Sequence, residues 1–170
     1  MGGRGFESRS AYKKTYMNIF VLDLDPIQAA RMQCDKHVVK MVLESAQMLS
    51  TIAREVCDLD APYRSTHKNH PCIKWILQSK NNYIYLGKLA DATNKEYSYR
   101  YEKQHAYTNH IEWLQNNIPD LPDINITDFP KCMPEEYKTN STIDSYREYY
   151  KYGKSHLHKW KKRNKPQWLN

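Results

Sequence analysis

His37, Lys40, Glu44 and Gln47 follow one another at spacings of three, four and three. On a helix those intervals place an imidazole, an ammonium, a carboxylate and an amide in one row. A carboxylate and an imidazole can move protons. An ammonium can hold a phosphate or, when neutral, attack an electrophilic carbon. A polar helix face is also what water alone requires, so a solvated face and the wall of a site both remain open.

The elements around the row follow from its pattern. Val38, Val39, Val42, Leu43, Ala46, Leu49, Ile52 and Ala53 make an apolar stripe. His37, Lys40, Met41, Glu44, Gln47, Met48 and Thr51 make the opposite face. Asp35 precedes the stripe as an N-cap would, predicting a main helix over 35–56. Asp25-Pro26 predicts a short helix ahead of it, over 27–33. His70-Pro71 predicts an extended residue and then a second long helix over 72–102, with a break near 79–82. A short helix is expected over 107–117. Residues 118–140 carry Pro119, Pro122, Pro130 and Pro134 and read as a long ordered loop, with Ile124, Ile126, Phe129 and Met133 seeking burial. Ser141-Thr-Ile-Asp144 predicts a capped last helix. The expected class is mostly α: a single compact domain of three to five helices with long ordered loops, over 17–170.

Residues 1–16 hold three of the five glycines and show no periodicity, which predicts a disordered leader. Gly5-Phe6-Glu7-Ser8 matches one reading frame of the common T-arm of transfer-RNA genes. The leader is therefore expected to be non-native, with Met17 as the true start.

The formal net charge is +7, much of it in 154–165. That excess, with fourteen tyrosines and four tryptophans, suits a polyanionic partner, nucleic acid first. The four cysteines form no CxxC pair and read as reduced thiols. There is no secretory signal, no apolar run of membrane-spanning length and no Gly-rich phosphate loop. His67 and His70 with His37 or Cys34 lack the spacing of a familiar zinc site. The expectation is no metal and no cofactor.

Asp35-Lys36-His37, with Glu44 seven residues beyond the histidine, resembles the pyrimidine-dimer DNA glycosylases of phages, the endonuclease V type. Asn18-Ile19, Asn69-His70-Pro71 and the aromatic, basic 146–154 segment occur in the same order as in that family. The resemblance covers most of 17–160. It implies a compact α fold, duplex DNA as partner, a monomer without membrane attachment and the cytoplasm of a phage-infected or bacterial cell. It also implies glycosylase/AP lyase chemistry, in which the N-terminal α-amine forms an imine at the sugar. An α-amine has a pKa near ~8 against ~10 for lysine, so more of it is unprotonated. Glu44 is then the assisting carboxylate, His37 its companion, and Met17 or Asn18 the bearer of the amine. Lys36 or Lys40 is the alternative amine. Lys36, Lys40, Gln47, His67, Lys68, His70, Lys159, Lys161, Lys162 and Arg163 are the expected DNA contacts. The family sets arginines beside its glutamate, whereas Leu43 and Gln47 stand here. Two other readings stay open: a base-modifying, non-lyase enzyme on the same fold, and a non-catalytic basic nucleic-acid-binding protein.

Overall fold

The structure is a computed structural model that describes residues 17–170. The leader expectation falls on residues outside that range. Six α-helices carry the fold: α1 Pro26–Met32, α2 Asp35–Cys57, α3 Pro71–Gln78, α4 Lys80–Tyr101, α5 Thr108–Asn116 and α6 Thr142–Glu148. No strand occurs among the described residues. The domain is mostly α, with one helix more than the upper expectation, because Ser79 divides α3 from α4. Ser79 is extended, and its hydroxyl accepts from Asn81 N.

The turn chemistry sets the starts of α1, α3 and α6. The Asp25 carboxylate accepts from Ile27 N ahead of Pro26. His70 is extended before Pro71, and its Nδ1 accepts from Cys72 N. Ser141 accepts from Asp144 N. Asp35 does not cap α2. Cys34 holds that position without a side-chain bond, and Asp35 is instead the acidic partner of the fully buried Arg100. Arg100 Nη1 and Lys161 N both donate to Asp35 Oδ1, which commits that carboxylate to the interior.

α2 lies among α3, α4 and α5, so most of its circumference is covered. Met41, Met48 and Thr51, expected on the polar face, are buried, while Val39 of the expected stripe is 42 % exposed. The apolar segment 19–22 is buried without pairing into a sheet. In the 118–140 loop Leu121 and Met133 enter the core and Phe129 packs on it, but Ile124 and Ile126 stay exposed. Hydrogen bonds hold that stretch instead. Ser79 Oγ and Asn81 Nδ2 donate to the Ile124 carbonyl, and the Asn82 side chain is bonded to Thr127. After α6 the chain makes a π turn, Tyr149–Gly153, that buries Tyr149 and Tyr150. Gly153 is required there: a Cβ would stand 2.6 Å from the Tyr149 ring. No described helix is long and apolar enough to cross a membrane.

Candidate functional site

The polar row of α2 is a wall that other segments meet at several points. His37 and Glu44 stand seven residues apart, about 10 Å along the axis. At the His37 end the segment entering from Met17 folds over the ring. Asn18 Oδ1 accepts from Ile19 N and Phe20 N, and Asn18 Nδ2 donates to the Cys132 carbonyl at 2.7 Å. This side-chain turn holds Phe20 at φ 43°, a left-handed conformation costly for an aromatic residue. Phe20 then stacks on His37 with ring centroids 4.2 Å apart.

Tyr150 fixes the other edge of that imidazole. Its hydroxyl oxygen accepts from Cys34 N and lies 2.6 Å from His37 Nδ1. The two groups share one proton along that contact, given by the Tyr150 hydroxyl or by Nδ1–H according to the imidazole tautomer. Burial, then the positive charges of Lys154 and Lys40 and the rings of His156 and His158, push the His37 pKa down to about 3. His37 is therefore neutral at neutral pH.

That depression has a sign for stability. The unfolded chain takes up a proton near pH 6.5 that the native chain refuses until about 3. This contribution is complete above 6.5 and is lost as the pH falls through that window. Between pH 7 and 5 the loss is about 2 kcal/mol. Urea denaturation at the two pH values, on the natural chain and on His37→Gln, should show a drop larger by about that amount in the natural chain. Equal drops would mean His37 is protonated in the folded state.

Farther along α2, Glu44 divides its carboxylate. Oε1 takes Lys40 Nζ at 2.7 Å, whereas Oε2 is buried and has no hydrogen-bond partner among the described residues. The side chain is 14 % exposed and that of Lys40 50 %, so the pair sits at a rim rather than sealed in the core. The Glu44 charge is felt by the Cys72 thiol at the start of α3. Cys72 Sγ and Cys132 Sγ are 3.4 Å apart, and both are free thiols. Their shared hydrogen bond pushes the Cys72 thiol up and the Cys132 thiol down. His70 completes a group: its ring nitrogen and the two sulfurs lie within 4.8 Å of one another. Hydrogen bonds thus link Asn18 to Cys132 and Cys132 to Cys72, and the Lys40–Glu44 pair relates to this series only through charge.

The expected site residues divide accordingly. His37, Lys40, Glu44, Asn18 and His70 belong to this series or border it. Met17 and Asn18 are buried, and Asn18 is a turn-former whose carbonyl oxygen is already engaged. Lys36 is exposed and Gln47 half-buried on α2. Exposed His67 is bonded to the Thr66 hydroxyl, and Lys68 pairs with Glu55 at 2.6 Å. The histidine and cysteine set weighed and set aside in the sequence is not brought together among the described residues: His67, His37 and Cys34 do not join His70, whereas Cys72 and Cys132 do.

The basic tail docks at the N-terminal end of α2. Asp35 N donates to the Lys159 carbonyl, and Asp35 Oδ1 accepts from Lys161 N. Lys161 lies over the Tyr101 ring. Lys162 pairs with Glu102, and Arg163 forks onto both Glu96 oxygens at 2.8 and 2.9 Å. Two of the four expected tail cations thus already have carboxylate partners. The tail meets α2 nine residues before Glu44, about 13 Å along the helix. A separate cleft of about 380 Å³, lined by Arg31, Lys88, Glu96, Tyr99 and Arg163 among others, opens between α1 and α4.

Cys72, Cys132, Phe20, Tyr150 and Lys154 were not expected at the site. His70-Pro71-Cys72 carried the one local signal, two donors flanking a helix start. Cys132 and Tyr150 have no sequence-local link to the α2 row. Comparison with protein-family models, curated proteins and solved structures returns no match.

Proposed function

We propose that the chain is a DNA-acting enzyme of glycosylase/AP lyase type, working through an amine that forms an imine at the sugar C1′ with Glu44 assisting. The observation that carries the reading is the contact of an amine with a carboxylate: Lys40 Nζ lies 2.7 Å from Glu44 Oε1, while Oε2 has no hydrogen-bond partner among the described residues. A carboxylate so placed can take the proton that leaves a lysine nucleophile and stabilise an oxocarbenium-like sugar. Lys40 is half exposed, whereas Met17 is buried, so Lys40 is the assigned amine and the α-amine of Met17 its rival. Lys154 adds positive charge on the His37 side, where phosphate contacts would offset the cost of extruding a nucleotide. The resemblance to the phage pyrimidine-dimer glycosylases supports the imine chemistry with Glu44 assisting, although that family uses its N-terminal α-amine where Lys40 is proposed here. Base modification without strand cleavage is the second reading, favoured by the burial of Met17 and Asn18.

The test is borohydride trapping on abasic and dimer-containing duplexes, with the full chain and a chain beginning at Met17, followed by peptide mapping. The expected result is an adduct on Lys40 with both chains. An adduct on the α-amine of the shorter chain alone moves the nucleophile to Met17. No adduct from either chain rejects the lyase and leaves the second reading.

A further inference from the structure

We propose that His70, Cys72 and Cys132 form a zinc site. The inference is independent of the lyase reading. Two sulfurs and a ring nitrogen are a donor set that suits zinc. A tetrahedral zinc with bonds of about 2.3 Å to sulfur holds two thiolates about 3.8 Å apart. Cys72 Sγ and Cys132 Sγ stand at 3.4 Å, and the three donor atoms lie within 4.8 Å of one another. A shift of a few tenths of an ångström opens the sulfurs to that spacing.

Charge favours the ion as well. A dication with two thiolates and a neutral imidazole is neutral overall, so burying it avoids the cost of an isolated charge. Both cysteines are buried. The backbone of the group is already positioned. Pro71 and the helix start fix His70 two residues from Cys72. The Cys132 carbonyl accepts from Asn18 Nδ2, and its N–H donates to the Tyr146 hydroxyl. Such outer bonds are what orient metal ligands. The contact given up is the 3.2 Å cap from Cys72 N to His70 Nδ1, since a metal-bound imidazole has no second lone pair to accept it. Three protein donors leave a fourth position. A water or an incoming ligand can take that position.

The full chain, purified anaerobically with a reductant, should contain about one zinc per molecule. Cobalt(II) in its place should give the intense visible bands of a tetrahedral ion and a thiolate-to-cobalt charge-transfer band. Cys72→Ser and Cys132→Ser should each weaken metal binding at least ~100-fold, while Cys57→Ser should leave it unchanged. The cobalt spectrum of the natural chain decides the matter even where a serine variant fails to fold. A folded, reduced chain free of zinc and without a thiolate-cobalt band overturns the site. So does a Cys72–Cys132 disulfide recovered from that same preparation. Trapping reads an adduct and this experiment reads a metal, so the two proposals fail separately.

Discussion

Glu44→Gln should lower strand cleavage about 10²–10⁴-fold, the usual worth of a positioned acid or base, while duplex affinity stays within about threefold. Glutamine keeps the length of the side chain, and its amide oxygen can still accept from Lys40. It lacks the negative charge and cannot take a proton from an amine or return one to a sugar. Stability should change little. The Lys40–Glu44 contact is an (i, i+4) pair at a rim, worth about 0.3–0.5 kcal/mol. The substitution therefore separates chemistry from folding. Single-turnover cleavage by the natural chain and the variant, with matched binding isotherms, is the measurement. A variant that cuts within threefold of the natural rate makes Glu44 a surface ion-pair partner and removes it from the mechanism. A variant that still traps but no longer cuts would place Glu44 in elimination rather than in imine formation.

The row carrying Glu44 was legible because it is local. Four polar residues on one helix keep their register whatever packs around them, and the Asp25, His70-Pro71, Ser79 and Ser141 signals are local as well. The faces of α2 were less legible. A two-faced reading assumes one packing partner, and α2 has several, so Met41, Met48 and Thr51 were covered from the side assigned to solvent. Cys132 joined the site through a proline-studded loop anchored by Asn82, Thr127 and Asn18, contacts that no periodicity announces. The tail shows the limit of counting charge. Lys162 and Arg163 add to the +7, yet their acids lie about sixty residues away on α4 and just past its end. A positive segment in sequence became in part a clamp in space.

That clamp meets the interior at Arg100, where the largest loss of stability is expected. Arg100 is fully buried. Its Nη1 donates to Asp35 Oδ1 at 3.0 Å, its Nε to Glu96 Oε1 at 2.8 Å and its Nη2 to the Arg31 carbonyl at 3.0 Å. It thereby joins α1, α2 and α4, while Arg163 brings the tail onto the same Glu96. Burial acts to raise the Glu96 carboxyl, and the hydrogen bonds from Arg163 and Arg100 overcome that effect and hold it below its ordinary value. Arg100→Ala leaves a cavity and two buried carboxylates short of a partner. Breaking such a pair from one side costs about 3–5 kcal/mol, read as a shift of roughly 10 °C in Tm for a domain of this size. Arg100→Lys should recover only part of the loss, because one ammonium cannot reproduce a three-way fork. Arg163→Ala, at the half-exposed end of the network, should cost less than Arg100→Ala. Equal losses at the two positions would mean that the tail, not the interior arginine, holds the helices together. In that case charge reversals in the tail would unfold the chain before they tested its affinity for DNA, and exposed Lys159 would be the position left for that experiment.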